Sequence, residues 1–225
     1  GMNNWMSETF QYPDRAWDRG KVLDDAALAK VAKFERYRDV DGDGIPYRTL
    51  PGVKDPKGAY FTRGSGHDEA ARYSESPEVY QRVMERLARK MQTARTLVPP
   101  PVIEEDAGAK IGLIAYGTTH WAMIEARDEM RVAGVPSGYL LLKALPFTDE
   151  VRKFVQKYER VYVVEQNRDG QMADLLRLEV GDLSPRVRSI RHFDGMPVDA
   201  RSVSDPILAQ EGAGTRAELA GGAKR

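Results

Sequence analysis

Two polar, glycine-bearing motifs hold most of the side chains in this chain that could do chemistry: Asp39-Val40-Asp41-Gly42-Asp43-Gly44 and Arg63-Gly64-Ser65-Gly66-His67-Asp68-Glu69. Carboxylates at alternating positions can converge on a hard cation, and a following glycine permits the sharp turn that such a loop needs. Asp39, Asp41 and Asp43 therefore form a candidate partial calcium or magnesium site. A full EF-hand is not spelled out, because the twelfth loop position, which should supply a bidentate Glu, is Leu50, and Pro46 intervenes. The competing reading is a tight Asp/Gly turn whose carboxylates accept backbone N–H groups. In the second motif, Arg63 could hold a carboxylate or phosphate bidentately. Gly64 and Gly66 would let backbone N–H groups approach the same anion, and His67 could donate a hydrogen bond or move a proton near neutral pH. The competing reading pairs Arg63 with Asp68 or Glu69 inside a turn.

A second group of polar segments follows short apolar runs: Gly117-Thr118-Thr119, Lys143-Ala144-Leu145-Pro146, Glu165-Gln166-Asn167-Arg168-Asp169-Gly170 and His192-Phe193-Asp194-Gly195. If those runs are parallel strands, these segments lie at the strand ends where open sheets bind ligands or partners. Glu165, Gln166, Asn167 and Arg168 are the densest set and lead into an expected helix N-terminus that could face an anion. His120 and His192 read as ordinary helix-start and strand-end histidines. No Ser/His/Asp order, no H-E-x-x-H and no Walker motif occurs, so no complete catalytic set is present.

Residues 1–23 read as extended, with Pro13 breaking any helix and Trp5, Phe10, Tyr12 and Trp17 unusually dense for a free terminus. Asp24 or Asp25 can cap a helix to about Arg38, with Ala27, Leu28, Val31 and Phe34 on its stripe. Residues 39–75 form a long irregular segment, a kind of loop that is usually functional or disordered. A helix should start at Ser76-Pro77, with Val79, Val83, Leu87, Met91 and Ala94 as its apolar stripe. Glu85, Arg86, Arg89 and Lys90 then belong to a solvated face. Residues 98–107, with three prolines and an acidic run, read as a linker.

Beyond it, apolar runs at Ile111–Tyr116, Tyr139–Leu142, Arg160–Val164 and Val187–Ile190 alternate with three helical patterns, the first following Gly117-Thr118-Thr119 and closed by Gly134, the others capped at Thr148 or Asp149 and at Asp169. That alternation implies an α/β fold with a parallel sheet covered by helices on both faces. The expected organisation is 1–97, linker 98–107, sheet domain 108–208 and a frayed Gly/Ala-rich tail 209–225.

Lys+Arg and Asp+Glu are each 34, which argues against nucleic acid as the main partner. No apolar run reaches the roughly 20 residues that span a bilayer, so no membrane partner is expected. With no cysteine, thiolate catalysis and any iron–sulfur cluster held by this chain are excluded, and a cytoplasmic location is the default.

Taken together and in order, Asn3-Asn4-Trp5-Met6-Ser7, Tyr12-Pro13, Asp18-Arg19-Gly20-Lys21-Val22, Asp41-Gly42-Asp43-Gly44-Ile45-Pro46-Tyr47-Arg48-Thr49, Tyr60-Phe61-Thr62-Arg63-Gly64-Ser65-Gly66-His67 and Val164-Glu165-Gln166-Asn167 resemble the C-terminal part of the alpha subunit of 2-oxoacid:ferredoxin oxidoreductases, especially the 2-oxoglutarate type. The resemblance runs to about residue 208. It implies oxidative decarboxylation of a 2-oxoacid, acyl transfer to coenzyme A and electron transfer to ferredoxin. It implies that residues 1–97 end a pyrimidine-binding α/β domain and that 108–208 form a transketolase C-terminal-like domain. Thiamine diphosphate, its magnesium and an iron–sulfur cluster would be held by a beta subunit. Family alpha subunits carry a gamma-like domain and most of the pyrimidine-binding domain upstream of the residue matching Gly1, so this chain is expected not to turn over substrate alone. The chemistry of the second motif and its placement make Arg63, Gly64, Gly66 and His67 the candidates for lying close to substrate or coenzyme A. The alternative class is a non-catalytic assembly or metal-stabilised interaction module.

Overall fold

A computed structural model of the chain describes residues 14–64 and 66–213. The aromatic-rich opening, Pro13, Ser65 and residues 214–225 lie outside the described residues. The chain divides after Leu97 into two compact units.

In the first unit, regular structure is sparse. Helix α1 (Asp25–Ala29) is capped by Asp24, whose carboxylate accepts the Ala27 N–H at 2.8 Å. It stops nine residues short of the expected Arg38. Lys57 Nζ donates to the carbonyls of Leu28 and Val31 at 2.6 and 3.0 Å, so acceptors that a longer helix would have used are taken by a side chain from a 3-10 turn at Pro56–Gly58. Leu28 is fully buried, and Phe34 meets Tyr60 edge-on instead of extending a helical stripe. Two isolated bridges, Val22 with Arg48 and His67 with Tyr73, tie the irregular segments together.

Helix α2 (Pro77–Leu97) begins where its cap predicts, with Ser76 Oγ accepting the Val79 N–H. The face it buries matches the expected one only in part: Val83 is buried as expected. Leu87 and Met91 are 37% and 52% exposed, whereas Arg86, expected on a solvated face, is only 7% exposed. The reason lies in the loop that lands on the helix. Gly44 sits at φ +79° so close to α2 that an added Cβ would fall 2.3 Å from the Lys90 backbone nitrogen. Arg86 Nη1 then donates to the Gly44 carbonyl (3.0 Å) and Thr93 Oγ1 to the Asp43 carbonyl (2.6 Å).

The second unit is built on a five-stranded sheet. In chain order it contains β1 (Val102–Glu104), β2 (Ile111–Tyr116), α3 (His120–Val132), β3 (Ser137–Leu142), α4 (Asp149–Lys157), β4 (Arg160–Glu165), α5 (Gln171–Val180), β5 (Val187–Arg191) and α6 (Ala200–Gln210). The order across the sheet is β1-β3-β2-β4-β5. The pairs β2–β3, β2–β4 and β4–β5 are parallel, while β1 is antiparallel to β3.

Alternate strand residues feed two apolar layers. Leu113, Tyr139, Tyr162 and Val164 join Met123, Met130, Val203 and Ile207 of α3 and α6 on one face. Ile114, Leu140, Val161 and Val163 join Val151, Phe154 and Leu176 of α4 and α5 on the other.

Two features differ from the sequence expectation. The stretch read as linker contains β1, which pairs Val102–Glu104 with Leu141–Tyr139. The stretch read as a frayed tail from 209 is ordered through 213: Glu211 receives Arg160 (2.7 and 2.6 Å) and the Tyr162 hydroxyl (2.6 Å), and Ala213 packs on the core. Helix α6 carries Pro206 in its interior, and its buried Ala200, Val203 and Ile207 sit at helical spacing beside the tail's Gly/Ala-rich composition.

Candidate functional site

The carboxylates of the first motif are already engaged. Lys21 Nζ lies 2.6 Å from both Asp41 and Asp43, Asp43 also accepts the Ile45 N–H, and Asp39 accepts the Gly44 N–H and faces Arg89. The Lys21 hydrogen bond and the Ile45 N–H hold the Asp43 carboxyl below its usual range. Burial pulls the Lys21 ammonium down, but its hydrogen bonds to Asp41 and Asp43 outweigh that and raise it. Among the described residues no group of three His, Asp or Glu side chains is placed to hold a metal ion. The candidate metal set Asp39, Asp41 and Asp43 is therefore a turn organised by an ammonium, since a cation there would have to displace Lys21.

The second motif separates in space. Arg63 and Gly64 are exposed, and the Arg63 guanidinium lies 6.0 Å over the Tyr73 ring. Asp68 caps its own turn through the N–H groups of Ala70 and Arg72, and Glu69 meets Arg82, so Arg63 pairs with neither. Gly66 is packed so that a Cβ would strike the Ser74 carbonyl at 2.4 Å. His67 is half-buried and stacks on Tyr37 at 4.0 Å between ring centroids.

His67 and Tyr37 line a cleft of about 430 Å³ that also receives Arg19, Lys21, Arg36, Arg48, Arg86 and Lys90. Among the described residues no carboxylate side chain lines it. Three of its guanidiniums are fixed by backbone carbonyls, which orient them without cancelling their charge: Arg36 to Tyr47 O (3.4 Å), Arg48 to Arg19 O (2.8 Å) and Arg86 to Gly44 O (3.0 Å). Burial drives the Arg86 pKa below the ordinary arginine value. Of the residues singled out from sequence, only His67 reaches this cleft. Arg36, Arg48 and Arg86 were missed as site residues. A second reading of α2 at 3–4 spacing, through Val79, Val83, Arg86, Lys90 and Thr93, would have exposed the face that the loop covers.

At the second candidate region, the crevice between β2 and β4 is the point where the chain switches from one side of the sheet to the other. It is filled by the chain's own polar groups. Glu165 is fully buried and accepts the Met172 and Ala173 N–H groups at 2.9 and 3.1 Å, so the α5 N-terminus expected to face an anion already holds a carboxylate. Asn167 donates to Glu165 and accepts the Gly170 and Gln171 N–H groups, doing the capping expected of Asp169. Gln166 Nε2 reaches across to Thr119 Oγ1 at 3.0 Å. Arg168 is exposed and paired with Asp169. His120 bonds the Tyr139 hydroxyl and His192 the Met196 carbonyl, so both have local structural partners.

No family model matches the chain. It is 31% identical over 194 residues to the alpha subunit of 2-oxoacid:ferredoxin oxidoreductase 2 of Aeropyrum pernix, covering 84% of this chain and 28% of that protein. It is 25% identical over 198 residues to the 2-oxoacid:ferredoxin oxidoreductase alpha subunit of Saccharolobus solfataricus, covering 85% and 30%. The chain thus spans under a third of the length of these curated relatives. A solved structure of 2-oxoglutarate:ferredoxin oxidoreductase from Magnetococcus marinus, with 2-oxoglutarate, coenzyme A and succinyl-CoA bound, matches with a TM-score of 0.68 at 20% identity, over 80% of this chain and 31% of that one. That likeness shows a shared fold.

Proposed function

This chain is related over most of its length to the alpha subunits of 2-oxoacid:ferredoxin oxidoreductases, and from that premise we propose that it supplies the C-terminal portion of an alpha subunit in such a complex. The reaction would be oxidative decarboxylation of a 2-oxoacid, 2-oxoglutarate or a close relative, to an acyl-CoA with reduction of ferredoxin. The observation that carries the proposal is the 31% identity over 84% of the chain.

The residues present fit a division of labour between subunits. The chain has no thiolate for an iron–sulfur cluster, and among the described residues no ligand set for magnesium. The family resemblance assigns cluster, thiamine diphosphate and magnesium to a beta subunit, and no chemical step is routed through this chain's own side chains.

What this chain contributes is positioning. Arg63 stands exposed at the edge of the first unit and would meet a carboxylate or phosphate of substrate or coenzyme A. Gly64 and Gly66 shape that turn, and His67 would donate a hydrogen bond from a ring held by Tyr37. For the sheet unit taken alone, a non-catalytic assembly role is favoured by the filled β2–β4 crevice.

The test is co-expression of an alpha subunit that carries this sequence as its C-terminal portion with a cysteine-bearing beta subunit. A complex that reduces ferredoxin only when both 2-oxoacid and coenzyme A are added supports the proposal. Failure of the two chains to co-purify removes it. Within an active complex, Arg63→Ala is expected to raise the KM for the 2-oxoacid or coenzyme A about tenfold, and unchanged constants would clear Arg63 of that role.

A further inference from the structure

Arg86 is 7% exposed, yet its Nε has no hydrogen-bond partner among the described residues, and the same holds for the buried Nε of Arg36. A guanidinium carries five N–H donors, and leaving a buried one unmet costs more than the hydrogen bond itself is worth. Both arginines line the same cleft, which collects Arg19, Arg48 and Lys90 as well and has no carboxylate in its lining among the described residues.

The nearby acids are committed elsewhere. Asp41 and Asp43 hold Lys21, Asp39 holds the Gly44 N–H and Arg89, and Glu35 meets Lys33 and Arg38. The guanidiniums of the cleft are thus oriented by backbone carbonyls, with Asp39 acting on Arg86 from outside the lining.

We propose that this cleft is a binding site for a phosphate-bearing small molecule, with Arg36, Arg48 and Arg86 as its phosphate ligands and His67 as a further donor. Three arguments favour phosphate. Planar guanidiniums match phosphate oxygens in pairs. A terminal phosphate offers three acceptor oxygens, enough to engage more than one guanidinium together. A cleft of about 430 Å³ admits more than one such group. Arg63, outside the cleft and over Tyr73, takes no part; His67 is shared with the role proposed above, but Arg36, Arg48 and Arg86 are not, and phosphate binding by them does not depend on the oxidoreductase reading.

The purified chain is to be titrated by calorimetry with pyrophosphate, inorganic phosphate and succinate at low and at moderate salt. Pyrophosphate is expected to bind more tightly than phosphate, and succinate at least about tenfold more weakly than pyrophosphate, with all affinities falling as salt rises. Arg36→Gln and Arg48→Gln, which keep a donor for their carbonyls, are each expected to weaken pyrophosphate about tenfold, while Arg63→Gln leaves it unchanged. Arg86→Gln should do the same as the first two, and because its burial puts folding at risk, its circular dichroism and melting curve are read alongside. No pyrophosphate binding, tighter binding of succinate, or equal affinity in Arg36→Gln and Arg48→Gln would each overturn the proposal.

Discussion

Residues 98–213 bury two apolar layers against one sheet, whereas in residues 14–97 the only buried hydrophobic side chains among those described are Leu28, Ala71 and Val83. The sheet unit is held by area removed from water, which is non-directional and tolerant of detail. Residues 14–97 are held by directional contacts: Asp24 and Ser76 at helix starts, Lys57 on two carbonyls, Asp25 on the N–H groups of Lys54 and Asp55, and Arg86 on the Gly44 carbonyl. The contrast teaches where charge can be kept available. A unit without a large core can leave arginines along a cleft, because carbonyls rather than carboxylates hold its backbone in place.

The contrast can be broken by substitution. Leu140→Ala, at a fully buried position on β3, is expected to cost the sheet unit about 3 kcal/mol. A loss in denaturant unfolding below about 1 kcal/mol would mean that the apolar layers matter less than stated. Glu165→Ala removes the acceptor of two α5 N–H groups and of Asn167, and about 2 kcal/mol of stability should go with it. Wild-type stability in that variant would show that the crevice does not need its own carboxylate.

In the other unit, Gly44→Ala forces a side chain at positive φ into the Lys90 backbone. A loss of about 1–2 kcal/mol is expected there. Faster amide exchange over residues 39–49 with an unchanged sheet should report it, and slowed or equal exchange would contradict the directional account.

Periodicity made the sheet unit legible. Four strands and three helices followed from apolar runs and caps, since these signals are local and each run feeds a layer. β1 escaped because three exposed residues in an acidic, proline-rich stretch carry no alternation. In residues 14–97, the cap of α2 was readable but its buried face only in part. Which side of a helix is covered there depends on a loop more than 40 positions away, and Arg86 bonds Gly44 across that separation. The candidate site suffered the same way: His67 was visible as a chemical type, while Arg36, Arg48 and Arg86 acquire meaning only when the chain brings them to one cleft.

Smaller effects sharpen the same contrast. Glu211 lies below the ordinary glutamate value of 4.5, chiefly through its hydrogen bonds from Arg160, with burial opposing and Tyr162 assisting. A depressed carboxyl stabilises the fold fully above 4.5, and that contribution disappears as pH falls through the lowered value. Glu211→Gln is therefore expected to be less stable at neutral pH and to lose less on acidification below 4.5. An identical acid limb would mean that the pair does not steady the end of α6. Arg63→Ala, on an exposed turn, should change stability by no more than about 0.5 kcal/mol. A larger loss would mean that Arg63 holds the turn together.

The carboxylate of Glu165 gives the sheet a resident guest. An incoming anion at the β2–β4 crevice would have to evict a side chain covalently attached to its own host, a competitor at very high effective concentration. Changes in ligand preference among related chains are therefore easier to write into the loops of residues 14–97 than into the strand ends of residues 98–213. A chimera that exchanges the sheet unit between relatives should keep the ligand preference of whichever chain supplied the loops.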